Sequence, residues 1–269
     1  MENKHIIYEG KNKILYEGPE EGTLILHFKD YIQNYTLKLG EGALNNRTSA
    51  FLLSKFGEIG LSTHFIKYVN MREQLVRALD MLPFEIHVLN NVTPSLCKRL
   101  HLTEGSRLAR PLIEYHLPQK DLNASNVETL LTEEHLLVLG WATPSETEEI
   151  VSISLRLNDF LTGLFAGIGF SISDFKVKFG RHYNPFLDDT HMTLGDILTP
   201  GSYTLWPLNL PSSTTMSSPL AAEEASYEIA RRLNLLPDVA VAVKDFKAPP
   251  LKSSKPKLHA IHLLQQKDL

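Results

Sequence analysis

The chain has 269 residues, 43% hydrophobic and 22% charged, the composition of an ordinary globular protein with enough apolar side chains for one large core or two smaller ones. Its 27 Lys and Arg against 31 Asp and Glu give a net charge of −4, so no global basic field points to nucleic acid or an anionic membrane, and any anion site must be a local cluster. Cys97 is the single cysteine, which excludes an intrachain disulfide and a cysteine-based zinc site.

The opening MENKHIIYEG lacks the apolar core of a secretory signal. Phe160 to Ser173, the longest uncharged apolar-rich run, falls short of the roughly 20 residues that a spanning helix needs. The expected setting is the cytoplasm, with no membrane or nucleic-acid partner, and the sequence leaves room for a homo-oligomer.

His5 to Tyr8, Ile14 to Tyr16 and Thr23 to Phe28 are β-type runs separated by the turn formers YEGKNK and EGPEEG, which predicts an antiparallel meander. Alternation in Lys11-Asn12-Lys13 puts both ammonium groups on one side, where they could cover a polyphosphate; the same pattern also suits surface lysines at a turn. Asn45-Asn46 reads as the cap of a helix through Phe51, Leu52, Leu53 and Phe56, ending near Gly57 or Gly60. LSTHFIKY reads as a strand with His64 as a structural histidine. Met71 to Asp80 is expected to be a short helix, and MLPFEIHVLN a strand interrupted by Pro83 with Glu85 as an edge-strand carboxylate.

After a polar linker, Gln119 to Asn126, the run Thr143-Pro144-Ser145-Glu146 combines a Thr cap, Pro at the first helical position and Glu at the third. Ile150, Ile153, Leu157, Phe160, Leu161, Leu164 and Ile168 then recur at spacings of three and four, so one face of a long helix packs inwards. Ser171 to Trp206 follows. In an extended chain Phe175, Val177 and Phe179 face one way and Asp174, Lys176 and Lys178 the other. Gly180 and Arg181 to Thr190 are expected to turn the chain so that Met192 to Leu198 returns beside this strand and brings Asp196 to its charged side. Such a face could floor a polyanion site or be a solvated hairpin. Ser218-Pro219 opens a last helix through Tyr227, Ile229 and Leu233, and a Lys/Pro-rich tail follows from Lys244.

Several of these stretches carry a family likeness. DFKVKFG followed by GDILTPGSYTLW resembles the DFK-L-E-FG and GDE-SPD-S-R-LWD segments of SAICAR synthetase, the purine-pathway enzyme that joins aspartate to a carboxyaminoimidazole ribotide at the expense of ATP. GEGALNN resembles its KG-LNN, MLPFEIHVLN its MVP-E-VVRN, and ETLLTEEHLLVLGWA its DPM-NEEH-LGWA, in the same order from residue 6 to 236. The resemblance implies an α+β fold: a small antiparallel N-terminal lobe over residues 1–85 that binds ATP, a larger mixed lobe over residues 86–236 that binds substrate and metal, and a nucleotide cleft between them. Residues 237–269 would be an extra tail.

The resemblance further implies that Lys11, Lys13, Met81 and Glu85 bind the nucleotide, that Lys176 and Asp196 are catalytic, and that Ser95 and Lys178 face the substrate. Asp196 with Glu128 would hold Mg²⁺. Several positions depart from the family pattern. Lys178 stands where the family has Glu, Leu89 and Thr204 where it has Arg, Val92-Thr93-Pro94 where it has Ala-Ala-Gly, and the flap around FKDYIQNYTLKLGEG is shorter. These changes keep the nucleotide side and empty the ribotide-phosphate side, since leucine lacks the bidentate grip of a guanidinium. The expected function is an ATP-dependent carboxylate-amine ligase with an altered metal and ribotide side. The alternatives are a non-catalytic relative that binds nucleotide or a protein partner, and a phosphotransferase on the same ATP lobe.

Overall fold

Short turns rich in glycine and acidic residues leave the first segments no room for anything but neighbouring antiparallel strands. The computed structural model describes residues 5–10, 12–30, 32–33, 36–37, 40–118, 129–184, 188–208 and 222–236. Within it β1 (Ile6–Glu9), β2 (Lys13–Glu17) and β3 (Thr23–Phe28) form the expected meander. Two short pieces, β4 (Ile32–Gln33) and β5 (Thr36–Leu37), then lead to helix α1 (Glu41–Glu58).

The start of α1 corrects the sequence reading. The helix begins four residues before Asn45, with Gly40 at the cap in a left-handed conformation (φ 88°). Asn46 lies inside it and is buried; its Nδ2 donates to the Asn70 carbonyl at 2.8 Å, while Gln74 Nε2 donates to the Asn46 carbonyl at 2.9 Å. The asparagine therefore ties helix to sheet instead of capping. Gly42 is required by close approach, since a Cβ there would lie 2.7 Å from the Phe28 carbonyl oxygen. At the other end the helix stops near Gly60 as its sequence suggests.

β6 (Phe65–Asn70) and β7 (Glu73–Arg77) complete a five-stranded sheet in the order β1-β2-β3-β7-β6. The expected helix over Met71–Asp80 is thus a turn and a strand. With β3 and β6 bonded to its two edges, β7 has its backbone satisfied in the sheet, and Gln74, Leu75 and Val76 are all buried. A helix there would have left β3 and β6 with open edges.

The larger sheet has the order β11-β10-β9-β12-β15, all antiparallel. After the short β8 (Asp80–Met81), its strands are β9 (Glu85–Asn91), β10 (Arg107–Leu117), β11 (Thr129–Leu131), β12 (Phe170–Val177) and β15 (Tyr203–Pro207). Helices α2 (Pro94–Leu100), α3 (Glu133–Val138) and α4 (Pro144–Gly167) connect them, and α5 (Ala222–Arg232) follows the last strand. α4 has the predicted capping box, with Thr143 accepting from the Glu146 N–H and Glu146 accepting from the Thr143 N–H at 2.7 Å. Its Ile150, Ile153, Leu157, Leu161 and Phe165 enter the main core with Ile86, Val88, Phe175 and Val177 from the sheet.

The stretch from Ser171 to Trp206 is built differently from the single hairpin expected. β12 belongs to the large sheet, between β9 and β15, while the chain continues into β13 (Phe179–Asn184), which pairs with β14 (Asp189–Leu194) and β8. Gly180 therefore lies in a strand, not a turn. A Cβ on it would lie 2.8 Å from Leu79 Cβ, so the residue is glycine to admit the neighbouring strand. The alternation of Phe175, Val177 and Phe179 towards the core holds, but it changes phase at Ser173, where a register shift against β15 lets Phe170 and Ile172 also face inwards. The Ser218-Pro219 start of the last helix and the 237–269 tail lie outside the described residues.

Candidate active site

Four charged side chains from distant parts of the chain meet where the two sheets adjoin. Lys13 at the start of β2 donates from Nζ to Asp196 Oδ1, although the two residues are 183 positions apart. Lys178, between β12 and β13, places Nζ 3.6 Å from Asp196 Oδ2 and 3.9 Å from Glu85 Oε2. Met81 lies over this corner, because Gly180 and Gly195 carry no side chain; a Cβ on Gly195 would meet its sulfur at 2.8 Å. Asp196 follows directly on that glycine and is fixed by β14, whose Leu194 bonds the Ser62–His64 segment on both its N–H and its carbonyl.

Burial pushes the Asp196 carboxyl up, but the ammonium groups of Lys13 and Lys178, with hydrogen bonds from Lys13 and the Ile197 N–H, hold it below the ordinary carboxylate value. It is ionised at neutral pH. His64, electrostatically coupled to it, is buried. Burial brings its imidazole down to about 4, Asp196 opposes the shift, and Lys13 and Arg77 add to it. The reading of His64 as a structural histidine holds for its burial, with its electrostatic coupling to the Lys13–Asp196 pair added.

The sheet face opposite the core extends this polar region, and here the structure shows residues the sequence reading did not single out. Glu85 Oε1 lies 2.8 Å from His87 Nε2, and the His87 ring stacks on His116 with centroids 3.8 Å apart. His116 Nε2 is 3.1 Å from Glu114 Oε2, and Glu114 accepts two bonds from Arg99 Nη2 at 2.6 and 2.9 Å. The register explains the stack: β9 pairs His87 with Glu114 and Glu85 with His116 on β10, and His87 with Lys176 on β12. Burial raises the Glu85 carboxyl, yet His87, Lys178 and Lys176 bring it below its usual value. Burial lowers His87, with Glu85 partly offsetting the shift. The i, i+2 spacing in Glu85-Ile86-His87 and in Glu114-Tyr115-His116 was the signal available in the sequence; the pairing of the two strands was not. Glu85 sits on an interior strand, which corrects its reading as an edge carboxylate.

The polar face ends at Leu89. That side chain is buried in a separate apolar cluster with Val92 and Leu96, packed by Cys97, Leu108 and Leu112. Alongside, Thr204 Oγ1 donates to Asp174 Oδ1 at 3.2 Å. Ser95 is half-buried in the first turn of α2, whose cap is Thr93. Lys11 and Glu128 lie outside the described residues. Among the described residues no three His, Cys, Asp or Glu side chains are placed to hold a metal ion. Two ammonium groups approach Asp196 and one of them also faces Glu85, so the cluster presents cationic donors of the kind that suit phosphate oxygens.

No helix is long and apolar enough to cross a membrane among the described residues. A profile of the family described as SAICAR synthetase matches residues 6–217. The phosphoribosylaminoimidazole-succinocarboxamide synthase of Acidiphilium cryptum is 40% identical over 258 residues, covering 93% of this chain and 98% of that one. The protein of the same name from Bartonella tribocorum is 45% identical over 214 residues, covering 77% and 82%. Among solved structures, phosphoribosylaminoimidazole-succinocarboxamide synthase from Ehrlichia chaffeensis superimposes with a TM-score of 0.76 at 30% identity, over 87% of this chain and all of that one (100%). A SAICAR synthetase in complex with ADP gives 0.73 at 29% identity, over 86% and 98%. On sequence, fold and the order of its landmarks, the chain belongs to the SAICAR synthetase family.

Proposed function

We propose that the protein is an ATP-dependent ligase of purine biosynthesis that forms an amide between the amino group of aspartate, or a closely related amino acid, and the carboxylate of an aminoimidazole ribotide. The observation that carries this reading is the meeting of Lys13, Asp196, Lys178 and Glu85 at one corner, in a chain whose relatives bear the synthase name. A cytosolic setting accords with it. In the two-lobe description, residues 1–85 supply the ATP side and residues 86–236 the acceptor side.

The chemistry divides into two displacements. The acceptor carboxylate oxygen attacks the γ-phosphorus of ATP, a P–O bond forms, the bond to ADP breaks with its electron pair, and an acyl phosphate results. The amine of aspartate then attacks the acyl carbon, the C–N bond forms, phosphate leaves with the C–O electron pair, and the amine loses a proton. Lys13 and Lys178, with Lys11 from outside the described residues, offset negative charge on the phosphates. Met81 and Glu85 border the base side, Lys176 lines the face where the acyl group forms, and Ser95 touches the acceptor. Asp196, helped by Glu128, would hold a magnesium ion bound with the nucleotide, and that ion would supply further neutralisation of phosphate charge.

Lys178 in place of an acid, and Leu89 turned into an apolar cluster, favour a second reading in which nucleotide binding is retained and ribotide binding is weak or absent. Calorimetry with ATP and with the ribotide, each with and without Mg²⁺, separates the two. Heat with both ligands and measurable amide formation support the ligase; heat with ATP alone supports the nucleotide-binding relative. Absence of heat with either ligand overturns both. A triple variant, Lys178→Glu with Leu89→Arg and Thr204→Arg, gains ribotide affinity if those positions were lost anchors and loses activity if they serve a changed substrate.

A further inference from the structure

A second basic cluster lies away from the Lys13–Asp196 corner. It lines a concavity of about 430 Å³ between the end of α1, β7 and the β13–β14 hairpin, a volume within the usual range for small-molecule sites. Arg77 from β7, His182 from β13 and His191 from β14 face it, with the Ser62 and Thr63 segment and the apolar Leu61 and Phe65 as its other walls. His182 and His191 are directly paired across the hairpin. Among the described residues no carboxylate lines the space. Asp189 Oδ2, 3.5 Å from His191 Nδ1, is mostly exposed, and Asp80 turns to Arg181 at 3.4 Å.

Arg77 and the two imidazoles, once protonated, place like charges around one hollow, which an entering anion would offset. Burial, Arg77 and His191 together hold the His182 imidazole below the ordinary histidine value. Of the guanidinium donors on Arg77, Nη1 serves the Thr63 carbonyl at 3.1 Å, and a fork of this kind keeps donors for a second acceptor. Ser62 Oγ, 2.9 Å from Thr193 Oγ1, adds a hydroxyl. A tetrahedral oxyanion fits this set of donors, and the remaining volume beside Leu61 and Phe65 admits an organic body.

We propose that this concavity is a binding site for a phosphate-class oxyanion, either free or as the end group of a small phosphate ester, separate from the nucleotide corner. His64 is common to both neighbourhoods: the Arg77 N–H donates to its carbonyl at 2.7 Å, and its buried imidazole is coupled to Arg77 as well as to Lys13 and Asp196. An anion in the concavity favours protonated imidazole, so affinity rises as pH falls through the histidine range.

The test titrates the full chain with sulfate, which does not itself change charge in this range, and with ribose 5-phosphate, following the His182 and His191 imidazole proton resonances near pH 6 and pH 8. Saturable shifts of both rings are expected, with affinity for sulfate about tenfold higher at the lower pH. Arg77→Gln should weaken binding by at least about tenfold, and Lys13→Gln should leave it unchanged. Tighter binding of ribose 5-phosphate identifies an ester site, and equal or weaker binding a free-anion site. No saturable shift, a shift indifferent to Arg77→Gln, or one abolished by Lys13→Gln overturns the proposal. Should Arg77→Gln fail to fold, calorimetry with sulfate at about pH 6 and pH 8 on His182→Gln with His191→Gln tests the same point, since both lie on the β13–β14 hairpin and their loss must remove the pH dependence of the binding heat.

Discussion

Asp196 shows how much one side chain's meaning depends on its neighbours. A carboxylate that two ammonium groups approach is ionised well into acid, and its removal leaves Lys13 and Lys178 facing each other. Asp196→Asn should abolish amide formation and lower stability by about 1–3 kcal/mol, the range for stripping a partly buried charge of its partner. Equilibrium urea unfolding beside an activity assay checks both parts. His64 supplies a pH signature. In the unfolded chain it takes up a proton near 6.5 and in the folded protein only at about 4, so between these values the unfolded chain holds more protons and stability falls as pH falls. The group should account for roughly 3 kcal/mol of acid destabilisation across that window. Urea midpoints measured through the window should be flatter in His64→Gln than in the parent, whatever the offset at neutral pH.

At the scale of elements, α4 is fastened twice at its start. Thr143 caps it, and Glu146 both closes the box and receives Arg181 Nε from β13 at 2.6 Å. Arg181 is accordingly the main cause of the Glu146 carboxyl lying below its usual value. Thr143→Ala should cost about 1 kcal/mol, as caps do. Glu146→Ala should cost more, about 1–3 kcal/mol, because it also leaves Arg181 without its principal acceptor. Thermal unfolding of the two variants ranks them. β7 is the contrary case, an element whose sequence suits a helix and whose two sheet neighbours make it a strand.

For the whole molecule, the consequence is that a ligand at the Lys13–Asp196 corner touches the first sheet and the segments that close the second. ATP at about 100 times its Kd should add about 2.7 kcal/mol to stability. For a chain of this size that corresponds to a rise in Tm of roughly 5–10 °C, read by thermal denaturation, with Lys13→Gln removing most of it.

The first meander, the capped helix from Thr143, the greasy and charged faces around Lys176 and the order of family landmarks are legible in the chain alone, because each is written in residues that are neighbours along it. It took the folded chain to show that β12 and β13 serve different sheets, that Lys13 meets Asp196 and Lys178 meets Glu85, and that His87 stacks on His116. Those contacts follow from strand register and from competition for sheet edges and burial, which no local period of two or 3.6 residues encodes.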